Sequence, residues 1–487
     1  MNCQKSKQSI VKILGIHRAF NYVEPYLVDE ETQSGGTGFF VDPTIFGPKF
    51  KKKRNHRYIL TNFHVVEDLT TNTCILKQPC LGHSAITAKV IYVVPKLDVA
   101  ILQVDPFGEH PMFFEANLPD FLEAIPNLKM DEKAIKGNSQ RVTAIGFPNL
   151  SSDYQICTGV ISGRGMGMIQ LNISFNGGNS GGPLFFKNKV IGICTASISD
   201  SEALGLAMPI SQILHYFQKW TSFSQILLDT PSWGICYKPC TMDYLQSKNL
   251  EGMQGCLVKK TIEKLCIKKN DILMGIDSDQ RYNIDNFGMV KVSWTDKRVP
   301  LTDLEFILSL NPKNIVFHYY SRKKVRKTQI VPKVHRLKTK KKYASWEPIE
   351  YVIMGGMVFM ELCMNHLEED EDEETYAGHQ AVHLANFIAD TMGLESTVVM
   401  THISPHSHVS TQQNIIPFDR IVKINNRKVK RLSDIQAETD FITIETQNDK
   451  HVFSSKALVR QEQRDMLKKI YPLQKMVLTK KRKFTVV

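Results

Sequence analysis

At roughly 150 residues per domain, a chain of 487 residues predicts about three domains. Its 42% hydrophobic and 23% charged residues exclude disorder for the bulk, and 28 Gly and 21 Pro exclude collagen-like repetition. Lysine and arginine exceed aspartate and glutamate by 61 − 49 = 12, which permits an acidic partner without demanding one.

No apolar run approaches the ~20 residues of a membrane-spanning helix, so no span is expected. Met1-Asn-Cys-Gln-Lys5 leads into no apolar signal core. The chain is therefore expected to begin at or near Met1 and to be intracellular, in the cytoplasm or nucleus.

Residues 9–220 read as an all-β region. Runs rich in Val, Ile, Phe and Tyr at 9–14, 36–41, 58–61, 87–94, 99–104, 141–146, 159–162, 189–196 and 205–208 are broken by turn residues. Many short strands with Gly and Pro between them predict a sandwich or barrel. Ile210, Ile213, Leu214 and Phe217 recur at helical spacing, so a helix over 210–217 is expected to close this region. Residues 221–232 read as a linker.

A second unit, 230–335, has strands expected at 256–259, 271–276 and 314–320. A third, 343–487, opens on the apolar run 351–360 and carries an acidic run at 368–374. The two units echo each other weakly: Lys268-Lys-Asn-Asp-Ile-Leu-Met-Gly-Ile-Asp and Pro417-Phe-Asp-Arg-Ile-Val-Lys-Ile-Asn share a turn, an acid and a strand.

The ten cysteines are scattered, and Cys236 and Cys240 lack a second Cys/His pair at zinc spacing. Free thiols are expected, with Cys74 and Cys80 as the pair to test for a disulfide. His402, His406 and His408 read as a polar loop, so no metal is expected. The basic stretches 51–54, 322–327, 338–342 and 480–483 read as solvated loops and linkers, since no aromatic residues interleave them as a nucleic-acid binder would need.

The chemistry concentrates in Asn176-Gly-Gly-Asn-Ser-Gly-Gly-Pro183. A serine set among glycines suits a tight turn that exposes the hydroxyl and aims successive backbone N–H groups at one point, supplying a nucleophile and an oxyanion hole. Tyr58-Ile-Leu-Thr-Asn-Phe-His-Val-Val66 places His64 just beyond an apolar strand. Lys96-Leu-Asp-Val-Ala-Ile-Leu102 places Asp98 at the head of another. The order His, Asp, Ser is that of the chymotrypsin-type triad, and the spacing suits two small barrels with the site between them.

Gly36-Thr-Gly-Phe-Phe, Leu60-Thr-Asn-Phe-His-Val-Val, Leu97-Asp-Val-Ala-Ile-Leu, Ile145-Gly-Phe-Pro, Thr158-Gly-Val-Ile-Ser and Gly178-Asn-Ser-Gly-Gly-Pro-Leu together resemble the successive motifs of the HtrA/Deg (Do-like) serine proteases. Trp233-Gly-Ile and Asn270-Asp-Ile-Leu-Met-Gly-Ile-Asp resemble an HtrA-type PDZ domain. Tyr351-Val-Ile-Met-Gly-Gly-Met-Val-Phe359 resembles the diverged second PDZ-like domain of the plant-type Deg subgroup. The resemblance implies a mostly β chain, a trypsin-like double β-barrel over 1–225 followed by two PDZ-like α+β domains at 230–335 and 343–487. It implies a serine endopeptidase of unfolded or damaged proteins. A protease-fold chaperone or scaffold that cleaves little is the alternative.

By position, His64 would be the general base, Asp98 its orienting acid, Ser180 the nucleophile, and the N–H groups of Gly178 and Ser180 the oxyanion hole. Two departures stand out: Asn172-Ile-Ser-Phe-Asn replaces the family's acid and small residues before the serine, and Gly177 its Pro or Ser. The substrate pocket is placed at Ser174, Cys194, Thr195 and Ala196. No acid stands between Ile169 and Leu184, so an uncharged side chain is expected before the scissile bond. Trp233, Gly234 and Ile235 would form the loop that captures peptide C-termini. No cofactor is implied. A homotrimer or higher homo-oligomer is, with Phe20, Tyr22 and Tyr26 at its contact. The chain's end, Thr485-Val-Val487, has a PDZ-ligand pattern but reads as a solvated tail.

Overall fold

Short strands, some alternating in burial and some buried throughout, close two six-stranded barrels in the computed structural model. It describes residues 7–47, 56–79, 82, 85–104, 127–130, 139–165, 167–197, 204–219, 225–293, 298–310, 315–368, 376–405, 407–435, 440–462, 464–465 and 482–486. Packing divides the chain in two: Met1–His17 with Gln33–His335, and Arg18–Thr32 with Arg336–Val487.

The first barrel contains β1 (Ile10–His17), β2 (Thr32–Val41), β3 (Arg57–Thr61), β4 (Thr73–Lys77), β5 (Ile86–Val94) and β6 (Val99–Val104), in the order β1-β2-β3-β6-β5-β4. The second contains β7 (Arg141–Gly146), β8 (Gln155–Gly165), β9 (Met168–Leu171), β10 (Pro183–Phe186), β11 (Lys189–Ser197) and β12 (Gly205–Pro209), in the order β10-β11-β12-β9-β8-β7. One apolar cluster runs through both, from Phe39, Leu60 and Ile101 to Phe147, Ile193 and Met208. Helix α1 (Ile210–Lys219) buries Ile210, Ile213 and Phe217 against it, the face that the spacing predicts.

The stretch expected as a linker is partly packed instead. Val93 exchanges backbone hydrogen bonds with Ile226 and Leu228, both at 2.9 Å, and Tyr216 Oη donates to the Asp229 carbonyl at 2.8 Å. Leu228 is buried. Its apolar side chain has more to gain from the barrel than from water.

The same unit continues with β13 (Ile235–Lys238), α2 (Met242–Ser247), β14 (Cys256–Thr261), β15 (Ile272–Asp277), β16 (Arg281–Asn283), β17 (Met289–Lys291), β18 (Arg298–Pro300), α3 (Leu301–Leu310), β19 (Val316–Ser321) and β20 (Lys324–Gln329). The sheet order β13-β14-β15-β19-β20 leaves β13 at an edge. Trp233, Val258, Ile276, Leu304 and Phe317 form its core.

The other unit contains β21 (Ile349–Met354), β22 (Met357–Glu361), α4 (Tyr376–Thr391), β23 (Val398–Ile403), α5 (His408–Gln412), β24 (Arg420–Ile424), β25 (Arg427–Lys428), β26 (Phe441–Thr446), β27 (His451–Ser455) and β28 (Arg482–Val486). Strand β28 pairs in parallel with β21, Thr485 opposite Val352, so the tail expected in solvent extends this sheet. Tyr22 and Tyr26 are buried against Ile349, Tyr351, Ile353, Val358 and Met360, with Phe20 packed beside them. Tyr22 Oη donates to the Lys342 carbonyl at 2.7 Å. These aromatics, expected at a subunit contact, are thus spent inside one chain.

Lys341 pairs with Glu368 at 2.7 Å, while 51–54 and 369–374 lie outside the described residues. The described cysteines, Cys74 among them, are free thiols; Cys80 lies outside. His402 contacts Glu24 at 3.4 Å, and His406 is not among the described residues.

Candidate active site

Antiparallel pairing explains why residues 34 apart in sequence meet. Strand β3 runs beside β6 with Thr61 opposite Ala100. The chain just past the end of β3 and just before the start of β6 therefore lie together, and these carry His64 and Asp98. Asp98 adopts the left-handed conformation, φ +47°, after the short helix Pro95–Leu97. Asn62 Nδ2 donates to its carbonyl at 2.8 Å, fixing the turn. The His64 ring then meets the carboxylate through Nδ1, 2.9 Å from Oδ2 and 3.0 Å from Oδ1. The His64 backbone N–H donates to Oδ1 at 3.0 Å.

Burial opposes a charge on the imidazole. The hydrogen bond and field of Asp98, with a smaller contribution from Glu67, outweigh it and hold the His64 pKa above its ordinary value. A ring whose Nδ1–H is committed to a carboxylate presents Nε2 as the acceptor.

Ser180 lies in the turn between β9 and β10. Its Oγ donates to the Thr195 carbonyl at 2.9 Å, so the hydroxyl is turned toward β11 in this structure. Thr195 reaches both halves of the site, because its own Oγ1 donates to Asp98 Oδ2. Thr37, on β2, reaches across from the first barrel. It donates through Oγ1 to the Gly178 carbonyl at 2.7 Å and through N–H to the Ser180 carbonyl at 2.8 Å.

The backbone of this turn is oriented by its carbonyls. Gly177 O accepts from Asn149 N at 2.5 Å, and Asn179 O accepts from Gly182 N at 3.0 Å. A trans peptide points its C=O and N–H in opposite directions. The N–H groups of Gly178 and Ser180 therefore each point away from the anchor of the preceding carbonyl. Gly178 has φ +93°, and a Cβ there would stand 2.3 Å from the Phe147 carbonyl oxygen. Gly177, which stands in place of the family's Pro or Ser, has open space around it, but its carbonyl is held.

The other expected pocket residues fall in different places. Ser174 is exposed. Cys194 is buried in the core of the second barrel with Ile169, Leu171 and Ala207, and burial pushes its thiol pKa up. Ala196 lies on β11, but its side chain is outside the described residues. The sequence places Thr195 in the pocket wall and marks no role for Thr37. Only the long-range hydrogen bonds disclose what they hold.

In the following domain, Trp233 is buried edge-on to Phe317, with ring centroids 4.9 Å apart. Its backbone N–H donates to Glu305 Oε1 of α3 at 2.9 Å. Burial raises the Glu305 pKa, opposed by that N–H and by Lys96. Gly234 has φ +68°, and a Cβ there would meet the His335 ring at 2.8 Å. Ile235 begins β13 opposite Thr261.

Two closed barrels, with a His–Asp pair from one and a serine on a glycine turn from the other, define a trypsin-like serine peptidase. The trypsin-like peptidase domain family matches residues 36–193, and a PDZ domain family matches residues 340–474. The mitochondrial protease Do-like 3 of Arabidopsis thaliana is 23% identical over 481 residues, 91% of this chain and 74% of its own. A periplasmic DegP-like serine endoprotease of Bartonella henselae is 25% identical, covering 82% and 68%, and one of Ectopseudomonas mendocina is 26% identical, covering 50% and 47%. The solved HtrA-type protease AlgW with decapeptide aligns over 68% of this chain and 97% of its own, at 16% identity and a TM-score of 0.46. The peptidase and PDZ domain matches together with the Do-like and DegP-like relatives support a serine protease of the HtrA/Deg type.

One expectation is overturned here. The Do-like relatives that match along most of the chain are mitochondrial and the DegP-like ones periplasmic, not cytoplasmic or nuclear. The missing apolar core after Met1 was no guide to compartment.

Proposed function

We propose that His64, Asp98 and Ser180 act as the triad of an endopeptidase that cleaves unfolded or damaged proteins. The observation that carries the reading is the contact of His64 Nδ1 with both Asp98 oxygens, 2.9 and 3.0 Å, with Ser180 joined to the same carboxylate through Thr195. Ser180 Oγ would rotate from Thr195 O to His64 Nε2 and give up its proton as it attacks the peptide carbonyl. The N–H groups of Gly178 and Ser180 would receive the oxyanion. The imidazolium, stabilised by Asp98, would then protonate the leaving amine, and water would release the acyl group by the same route.

The protease-fold scaffold that cleaves little is kept as a second reading for one observation, the Ser180 hydroxyl held by Thr195. Fluorophosphonate labelling separates the two. Reaction at Ser180, lost in His64→Ala, together with cleavage of β-casein, supports the protease. No labelling of the wild-type chain under any condition that binds casein supports the scaffold.

The PDZ-like domains would bring peptide to the site, and a side chain without charge would precede the cleaved bond. A homotrimer, the assembly that the family resemblance implies, stays a proposal without the aromatic residues first offered for it. Light scattering that reports a monomer at micromolar concentration would refute it.

A further inference from the structure

A PDZ-type groove holds a peptide's terminal carboxylate on loop N–H groups and adds the peptide to an edge strand. In the first PDZ-like domain the loop is Ser232-Trp-Gly-Ile235 and the edge strand is β13, paired only with β14 among the described strands. Two of the loop's backbone donors are already engaged. Ser232 exchanges both backbone hydrogen bonds with Lys333, at 2.9 and 3.0 Å. The N–H of Trp233 donates to Glu305 Oε1 at 2.9 Å.

Glu305 comes from 72 residues downstream and is only partly exposed. Its surroundings are settled: Lys96 and Tyr237 lie within its field, and the next residue, Phe306, has Lys96 Nζ 5.8 Å above its ring. A carboxylate that accepts from a loop N–H takes one of the donors that a ligand's C-terminus would seek.

We infer that Glu305 is a built-in cap of this loop, and that the domain selects internal, extended segments of unfolded chains over free C-termini. This rests on the reading of the domain as a peptide binder and names its ligand class. An incoming terminal carboxylate would compete with Glu305 for one donor. Like charges at that separation also disfavour each other. An internal segment brings only N–H and C=O groups to the free edge of β13 and has no need of the capped donor.

The test uses the full chain carrying Ser180→Ala, so that peptide survives. Fluorescein-labelled decapeptides ending Phe-Thr-Val-Val are compared as the free acid and as the C-terminal amide, by anisotropy. The amide should bind at least as tightly as the acid. Glu305→Ala should tighten the acid about tenfold, the value of one charge-assisted hydrogen bond, and leave the amide within about twofold. Glu305→Gln, which keeps the shape and removes the charge, should recover part of that gain and decides the matter if the alanine variant does not fold. The cap is wrong if the original chain prefers the acid, or if the acid-to-amide ratio is the same in all three proteins. If neither peptide binds any of them, the peptide-binding reading itself fails and the cap with it.

Discussion

At the scale of single residues, Gly178 shows how backbone geometry and chemistry are joined. Its φ of +93° is a region that a side chain disfavours, and an added Cβ would stand 2.3 Å from the Phe147 carbonyl. Gly178→Ala must therefore turn the 177–178 peptide and swing one N–H out of the proposed oxyanion hole. Loss of one such donor costs ~2.7–4 kcal/mol of transition-state stabilisation. The expected result is a fall in kcat of about 10²–10³ with the fold intact by circular dichroism. Unchanged kcat would remove Gly178 from the oxyanion hole.

His64 makes a second prediction with a definite sign. Its pKa is raised above the ordinary histidine value, and in the proposed role of base it must be neutral to accept the serine proton. Activity should therefore rise with pH along a limb centred above about 6.5, the unperturbed value. Stability runs the other way. The charged His64–Asp98 pair contributes fully below the unfolded pKa, and that contribution is lost as pH rises through the folded one. Profiles of kcat/KM and of urea midpoint against pH should slope oppositely across this window. A flat rate profile would remove His64 as the base.

Individual elements show what sequence alone could convey. Strands with clear alternation or strong β-branched content, such as β5 and β6, were legible, and so was α1 from its apolar face. Strands β4, β9 and β10 were not. They are four or five residues long, and β10 begins with Pro183, a residue that usually signals a break but is tolerated at a strand's first position. The His64–Asp98 contact was legible because both residues stand in local motifs. Thr195 and Glu305 were not, since each acts on a partner 97 or 72 residues away.

The position of Thr195 on β11 yields a test of its own. Its hydroxyl donates to Asp98, which diminishes the negative field that the carboxylate exerts on His64. Thr195→Val removes the donor at nearly constant volume. The acid limb of the kcat/KM profile should move to higher pH, because a less compensated Asp98 holds the imidazolium more firmly. A packing role alone would lower stability and leave the limb in place, and that outcome would assign Thr195 to structure only.

For the whole molecule, chain order and packing order differ. Residues 18–32 run from the end of β1 to the first residue of β2, yet they belong with residues 336–487. The segment is part of that unit's core: Tyr22 and Tyr26 are each 8% exposed, and Tyr22 Oη is hydrogen-bonded to Lys342 O. Removing a large buried aromatic costs about 3–5 kcal/mol, of which the lost hydrogen bond is roughly 1. Tyr22→Ala should therefore destabilise the unit containing 336–487. In a urea titration followed by hydrogen exchange, protection of β21 and β22 should fall by several hundredfold, while protection of β5 and β6 in the first barrel holds. Equal loss in both sets would mean that the two units unfold as one. No loss in either would mean that the 18–32 segment does not pack where its aromatic residues place it.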